Sequence, residues 1–252
     1  MRILLTNDDG IYAKGIEVLA EHLCKHTEHQ VTVVAPDRQK SATGHAITLH
    51  KPLHVHEVDL GLPVTAFKIN GTPADCVKMG MHVLLDEQPD IVISGVNAGS
   101  NLGMDVFYSG TVSAAVEAAM NGIPAVAVSA CGYKNFAFAA AAQFVERMIP
   151  MIQSQPFEKN RILNINVPPA NAPIQGVRVT TLGERSFSTN YEKRLDPLGR
   201  SYYWLIGEEI TTQNDPESDV SAVQSGWISI TPLRLTLTDE AWMKQLKQWT
   251  FQ

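Results

Sequence analysis

MRILLTNDDGIYAKG, residues 1–15, is the stretch that decides the fold. Arg2 to Leu5 contains a short apolar block bounded by turn residues, which is typical of a central strand in a parallel sheet. Asp8 and Asp9 come just after it, and open α/β sheets bind ligands in the crevice beyond the carboxyl ends of their strands. From Ile16 onward the apolar residues recur at helical spacing. We therefore predict a strand, an acidic loop and a helix at the start of an α/β fold.

Asp8 and Asp9 are adjacent carboxylates, and their repulsion costs stability unless a cation or a shared proton compensates for it. A hard divalent ion with oxygen ligands is the natural compensation. Asn7-Asp8-Asp9-Gly10 also consists of typical turn formers, so a plain turn is the alternative interpretation. The acids alone leave both interpretations open.

The composition is typical of a soluble globular protein, with 252 residues, 44% of them hydrophobic and 18% charged. A net charge of −6 without a basic run argues against a nucleic-acid duplex or an anionic membrane as the main partner. Cys24, Cys76 and Cys131 are widely spaced and form no C-x-x-C pair, which favours a reducing compartment. Because the sequence shows neither a signal peptide nor a membrane-spanning apolar stretch, we expect a cytoplasmic protein.

Strands and helices alternate over the first 170 residues, which predicts a three-layer α/β core with a mostly parallel sheet. Further strands are predicted at Val31 to Ala35, Ile91 to Ile93, Ala125 to Ala130 and Ile162 to Val167. Thr72-Pro73-Ala74-Asp75 predicts a capped helix start, and Asn135 to about Gln153 a long helix. Residues from about Ile47 to Ile69 alternate in polarity and predict an inserted hairpin.

The pattern changes beyond about residue 170, so we divide the chain into a core, residues 1–170, and a C-terminal portion, residues 171–252. Tyr191 to Leu205 predicts an aromatic-rich hairpin, Trp227 to Thr231 a strand and Asp239 to Trp249 an amphipathic helix. Such a hairpin is either a contact surface or packs on its own domain, and the sequence does not separate the two. No G-x-G-x-x-G follows the first strand, so a dinucleotide cofactor is not indicated.

Polar loops follow several of the predicted strands, and we expect them to meet at one edge of the sheet. They are Asn7 to Gly10, Ser41 to His45 and Ser94 to Asn97, and the helix start Ser109-Gly110-Thr111 joins them. A helix start made of hydroxyls and glycine offers unpaired N–H donors to a phosphate, although simple capping is the alternative.

These motifs, taken in order, resemble the SurE family of metal-dependent 5′-nucleotidases, also called stationary-phase survival proteins. The motifs are TNDDGI, APDRxxSxxGH, NGTPADCV, SGVNxGxNLG, YSGTVSAAxEA, YEKRxDPxGRxYYW and GWISITPL, and they span nearly the whole chain. One departure is Ser218, which stands where a Thr-Asp pair is common in the family. The resemblance implies a Rossmann-like core and a C-terminal portion that forms a homodimer or homotetramer.

The resemblance also implies site residues and one divalent cation per subunit, Mg²⁺ or Mn²⁺. The implied metal ligands, all of them oxygen donors, are Asp8, Asp9, Ser41 and Asn97. The implied phosphate- and substrate-binding residues are Asn101, Ser109, Gly110 and Thr111, with Gly44 and His45 bordering the pocket. His45 is either the acid that protonates the leaving oxygen or a neutral hydrogen-bonding group.

The expected reaction is hydrolysis of nucleoside 5′-monophosphates, with Asp8 and Asp9 as the catalytic pair and a metal-activated water as the attacking group. An aspartyl-phosphate, activity on 3′-nucleotides or short polyphosphate, and the preferred nucleotide stay open. A deacetylase with paired acids needs histidine ligands near them, yet His22 is the earliest histidine. A receiver-type phospho-acceptor is about half this length. A non-catalytic nucleotide-binding protein is the remaining rival, and phosphate release from AMP distinguishes it.

Overall fold

The computed structural model describes residues 1–25, 28–155, 157–171, 173–207, 209–210 and 215–250. Its strands are β1 Arg2–Thr6, β2 Gln30–Pro36, β3 Val55–Glu57, β4 Thr65–Ile69, β5 Ile91–Ala98, β6 Ala125–Ala130, β7 Arg161–Val167, β8 Gly176–Val179, β9 Ser186–Phe187, β10 Asn190–Leu195, β11 Ser201–Ile206, β12 Glu209–Ile210 and β13 Trp227–Arg234. Its helices are α1 Lys14–Leu23, α2 Pro73–Met79, α3 Gly110–Met120, α4 Phe138–Ser154, α5 Asp219–Gln224 and α6 Glu240–Leu246.

Nine strands form the central sheet, in the order β3-β4-β2-β1-β5-β6-β7-β13-β8. The pairs from β4 to β7 are all parallel, while β3 and β13 run antiparallel to a neighbour. β1 lies inside the sheet with β2 on one side and β5 on the other. The predicted hairpin is β3 and β4, and β4 pairs in parallel with β2, so the hairpin forms one edge of the main sheet.

Helices cover both faces of the sheet, which confirms the predicted three-layer α/β core. On β1, Ile3 and Leu5 pack in one apolar cluster with residues of α1 and α4. Leu4 points into a second cluster with residues of α2 and α3, because successive side chains of a strand alternate between faces. β1 is therefore buried on both sides, and the loop that follows it is held at the carboxyl edge.

The helix ends follow local sequence signals. Thr72 and Asp75 form the predicted capping box at the start of α2, with Pro73 in the first turn. The predicted helix at Asn135 begins later, at Phe138, because Asn135 adopts a left-handed backbone conformation with φ of 56°. A left-handed residue cannot continue a right-handed helix, so the chain around Asn135, before Phe138, remains a loop.

The C-terminal portion contributes to the sheet and also forms a separate hairpin. β8 and β13 extend the central sheet beside β7. Among the described strands, β10 and β11 pair with each other alone, from Asn190 with Ile206 to Leu195 with Ser201, as predicted for this hairpin. The division near residue 170 stays a prediction. Within the described part of the chain, no helix is both long enough and apolar enough to span a membrane.

Candidate active site

The acidic loop after β1 is closed by Asn7. Its Nδ2 donates to the carbonyl of Gly10 at 2.9 Å, and its Oδ1 accepts from the amide of Gly10 at 3.1 Å. Gly10 has a φ of 103°, a conformation that glycine adopts without the penalty of a side chain. The two bonds fix the turn, and the turn presents Asp8 and Asp9 at the carboxyl edge of the sheet.

Asp8 is a buried carboxyl, only 5% exposed. The hydroxyl of Thr111 donates to its Oδ1 at 2.5 Å. Burial is the main reason that the pKa of Asp8 rises to about 6; the Thr111 bond opposes this, and the charge of Asp9 adds to it. A carboxylate held in this way, beside a second one, is stabilised in its charged form by a bound cation.

Asp9 connects the first loop with the loop after β5. Its Oδ2 accepts from the backbone amide of Ala98 at 2.9 Å. The loop after β2 joins them, since the amide of Lys40 donates to the carbonyl of Asp8 at 2.7 Å. Within that loop, Gln39 donates to the hydroxyl of Ser41 at 2.9 Å. Three loops that are distant in sequence thus form one edge of the site, as predicted.

Asp8, Asp9, Ser41 and Asn97, the predicted metal ligands, all line one cavity of about 510 Å³. Asn97 donates its Nδ2 to the carbonyl of Gly99 at 3.0 Å, which leaves its amide oxygen as the atom suited to a metal. Two carboxylates, a hydroxyl and an amide form an all-oxygen donor set, which fits a hard divalent cation. Among the described residues no group of three or more His, Cys, Asp or Glu is arranged to hold a metal, so a metal site at Asp8 and Asp9 would also need Ser41 and Asn97.

Asn101 lines the same cavity and is fixed by a buried polar network. Its Nδ2 donates to the hydroxyl of Ser129 at 2.8 Å, and its backbone amide donates to Asn166 at 2.8 Å. Its carbonyl accepts from Asn164 at 2.8 Å and from Asn166 at 3.0 Å. The two asparagines of β7 thereby fix the backbone of Asn101, and Ser129 fixes its side chain.

The start of α3 packs against Asp8. The hydroxyl of Ser109 accepts from the amide of Val112 at 3.1 Å, so Ser109 caps the helix and also lines the cavity. A Cβ on Gly110 would lie 2.7 Å from the Cβ of Asp8, a contact that only glycine avoids. Thr111 is fully buried behind Asp8, and its hydroxyl bonds to that carboxylate instead of facing the cavity.

Gly44 and His45 do not line the cavity. The amide of Gly44 donates to the carbonyl of Tyr108 at 3.0 Å, while the Nε2 of His45 contacts Glu117 at 2.9 Å. Lys78 also contacts Glu117, at 3.1 Å, and the bond from His45 is the main reason that the pKa of Glu117 is lowered. This geometry favours the hydrogen-bonding role of His45, in which it anchors its loop to α3.

Arg185 is a site residue that sequence reasoning missed. It lines the cavity with only 10% of its side chain exposed, and its Nη1 donates to Ser100 and Asp105, each at 2.6 Å. It lies 80 residues beyond Asp105, and no local motif marks it. Asn164 and Asn166 did carry a signal, because two asparagines on a strand that is otherwise apolar need a buried polar partner.

Comparison with known proteins shows similarity along nearly the whole chain. A family model described as Survival protein SurE matches residues 3–189. The protein named 5′-nucleotidase SurE from Synechococcus sp. (strain JA-3-3Ab) is 50% identical over 99% of this chain and 97% of its own. The protein of that name from Carboxydothermus hydrogenoformans is 48% identical over 99% and 96%. The crystal structure of the SurE protein from Aquifex aeolicus has a TM-score of 0.84, at 38% identity and with 98% of both chains covered.

Proposed function

This chain belongs to the SurE family, and we propose that it hydrolyses nucleoside 5′-monophosphates to a nucleoside and phosphate. Its relatives over the full length are named 5′-nucleotidases. One observation supports the proposal above all. The groups that line a single cavity include the carboxylates of Asp8 and Asp9, the hydroxyl of Ser41, the amides of Asn97 and Asn101, and Ser109 at the start of α3. That combination suits a cation and a phosphate side by side.

Nucleotidases of this family depend on a metal in general. We infer one Mg²⁺ or Mn²⁺ per subunit, held by Asp8, Asp9, Ser41 and Asn97. When bound, such a cation supplies a Lewis acid that polarises a phosphoryl oxygen and acidifies a water.

The remaining residues bind and orient the phosphate. The hydroxyl of Ser109 keeps a hydrogen for a phosphate oxygen while its own oxygen caps α3. The second Nδ2 hydrogen of Asn101 is available to the same group, because the first is used by Ser129. Preorganised donors of this kind stabilise charge on the transferring phosphoryl group without reorganisation. Arg185 stabilises the loop that carries Asn101, because it donates a hydrogen bond to the neighbouring Ser100.

Phosphate release from AMP tests the proposed function directly. We expect the purified chain with added Mn²⁺ or Mg²⁺ to release inorganic phosphate, and excess EDTA to lower the rate at least a hundredfold, roughly 3 kcal/mol in the barrier. Restoring either metal should restore the rate. Binding of AMP without phosphate release, under every metal tried, would instead identify a non-catalytic nucleotide-binding protein.

We propose that a second copy of the chain covers the β10–β11 hairpin, in a homodimer or homotetramer. Tyr203 and Trp204 on β11 are 60% and 56% exposed, and the strand is exposed along its whole length. An isolated two-stranded hairpin is marginally stable in water, so burial against another subunit is its main route to stability.

Light scattering of the intact chain is expected to give at least a dimer. Trp204→Glu should shift the population towards smaller species, because it places a charge in the contact. Met120→Glu is the matched control, since Met120 is similarly exposed, at 60%, but lies at the end of α3. A parent chain that is strictly monomeric at micromolar concentration contradicts the proposal.

The cytoplasm remains the proposed compartment. Cys24, Cys76 and Cys131 are all unpaired, and free thiols persist where the environment is reducing. Burial raises the pKa of Cys131 to about 12, so this residue stays a neutral thiol near the site.

A further inference from the structure

The loop after β2, residues 37–50, carries the proposed metal ligand Ser41 but buries no apolar side chain of its own. The structure describes every residue of this loop, and none of them is buried or belongs to a helix or strand. Ala42, next to Ser41, has a φ of 55°, a left-handed conformation that costs free energy for any residue with a side chain. Hydrophobic packing therefore does not hold Ser41 in place, and polar contacts with other elements have to do so.

Backbone hydrogen bonds attach this loop on both sides of Ser41. Before Ser41, the amide of Lys40 donates to the carbonyl of Asp8 at 2.7 Å. After it, the amide of Gly44 donates to the carbonyl of Tyr108 at 3.0 Å. Both bonds join main-chain atoms, so they survive most side-chain substitutions and give the loop a basal attachment.

His45 adds a side-chain contact, and its partner is the carboxylate of Glu117 on α3. The Nε2 of His45 lies 2.9 Å from the Oε2 of Glu117. The Oε1 of Glu117 accepts from Lys78 at 3.1 Å and from Asn121 at 3.3 Å. Glu117 is only 4% exposed, and a buried carboxylate is costly unless it is paired and hydrogen-bonded. One of its two oxygens is thus given to the loop and the other to α2 and α3.

We propose that Glu117 is a positioning residue for the metal site, an inference that rests on the proposed metal-dependent nucleotidase function. Through His45 it holds the loop in the conformation that places Ser41 in the same cavity as Asp8 and Asp9. Glu117 and His45 do not line that cavity, so Glu117 acts through the loop without touching the metal or the substrate. A loop that is already ordered binds a ligand more tightly, because less ordering is left to be done on binding.

α3 connects the loops that carry the two kinds of ligand. At its start, the hydroxyl of Thr111 donates to the Oδ1 of Asp8 at 2.5 Å. Almost two turns later, Glu117 contacts His45. Most residues of α3 are buried, so both contacts refer to one firmly packed element. The helix therefore fixes the loop after β1 and the loop after β2 relative to each other.

The charge of Glu117 suits this role. The bond from His45 is the main reason that its pKa is lowered; burial opposes this effect, and Lys78 adds to it. Glu117 is therefore a carboxylate at neutral pH, which only accepts hydrogen bonds, and the Nε2 of His45 carries the hydrogen. Hydrogen bonds to an ionised acceptor are about twice as strong as neutral ones. A glutamine at this position could still accept from His45, but more weakly.

Glu117→Ala tests the inference through the dissociation constant for Mn²⁺, measured by calorimetry on the metal-free chain. We expect Mn²⁺ to bind roughly tenfold more weakly, at the lower end of the effect of indirect partners of metal ligands, because the backbone bonds of the loop remain. Glu117→Gln should weaken binding less, since it keeps an acceptor for His45. At saturating Mn²⁺, kcat for AMP should stay within about threefold of the parent value, because excess metal drives the loop into its bound conformation.

Hydrogen exchange of the metal-free chain needs neither metal nor turnover. The amides of the peptide that covers residues 38–46 should exchange faster in Glu117→Ala than in the parent, because the loop opens more often. His45→Ala removes the same bond from the exposed loop and leaves the packing of α3 untouched. It should therefore reproduce both effects of Glu117→Ala, and it decides the matter if Glu117→Ala does not fold.

Lys78→Met is the matched control. It removes the ammonium group that pairs with the same carboxylate, but from α2, and it leaves the bond to the loop in place. Both Glu117→Ala and Lys78→Met disturb a buried ion pair, so both should lose stability. Only the first should weaken Mn²⁺ binding, and Lys78→Met should stay within about threefold of the parent dissociation constant.

Unchanged Mn²⁺ affinity in His45→Ala would overturn the inference. Equal losses in Lys78→Met and Glu117→Ala would overturn it as well, because the packing of α2 on α3 would then set the affinity. A kcat for Glu117→Ala that stays low at saturating Mn²⁺ would show that Glu117 acts on the reaction and not on the position of Ser41. A parent that binds Mn²⁺ but releases no phosphate would refute the proposed function and leave the role of Glu117 standing. A parent that binds neither Mn²⁺ nor Mg²⁺ would refute both.

Discussion

Asp9→Asn is expected to lower kcat for AMP by more than about a hundredfold while the fold stays intact, since even indirect partners of metal ligands contribute about 10- to 100-fold. The substitution keeps the shape and turn propensity of the residue, and an asparagine oxygen can still accept from the amide of Ala98. It removes only the charge. Phosphate release and circular dichroism, measured on the same preparation, separate lost chemistry from lost structure.

Metal-induced stabilisation provides the second measurement on this variant. A ligand that binds only the native state raises the melting temperature more when it binds more tightly, so Mn²⁺ should stabilise the parent much more than Asp9→Asn. The metal-free variant should be slightly more stable than the metal-free parent, because the repulsion with Asp8 is gone. Asp86→Asn is the matched control, since Asp86 borders a cavity with Arg2 and Gln30, at the amino ends of β1 and β2. Full activity together with a parent-like response to metal would show that Asp9 is not a ligand.

The carboxyl edge of the sheet was predictable because parallel strands bring their ends together. Once Arg2 to Leu5 and Ile91 to Ile93 are identified as strands, Asp8 and Asn97 must lie at the same edge. The start of α3 followed from local capping chemistry, and Ser109 does cap this helix. Local signals and one rule of topology were therefore enough for these positions.

Arg185 and Tyr133, which both line the cavity of the candidate active site, were not predictable, because both reach it through loops whose paths depend on tertiary packing. Arg185 follows β8, and the place of β8 beside β13 is set by long-range pairing that no periodicity encodes. The same limit applies to β4, whose alternating pattern marks a half-exposed strand and does not reveal that its partner is β2. Cavity walls built from loops are consequently the part of the site that needs a structure.

Gly15→Ala is expected to destabilise the protein by at least about 3 kcal/mol, beyond the usual effect of a point mutation. A Cβ at this position would lie 1.8 Å from the carbonyl oxygen of Val96, a backbone atom of β5. Alanine is the better helix former by about 1 kcal/mol, so propensity alone predicts a gain. The overlap should outweigh that gain, because α1 can relieve it only by moving away from β5, and Ile16 and Leu19 bury the helix there.

Activity should fall together with stability in Gly15→Ala, since Val96 directly precedes Asn97, the proposed metal ligand, and a displaced carbonyl displaces its neighbour as well. Gly61→Ala is the control. Its φ of 68° strains any other residue, yet a Cβ there meets no atom within 4 Å, so it should lose only about 1 to 2 kcal/mol and keep full activity. Urea unfolding and phosphate release measure the two effects. If Gly15→Ala proves more stable than the parent, the gain in helix propensity exceeds the cost of the overlap. The close approach of α1 to β5 then does not position Asn97.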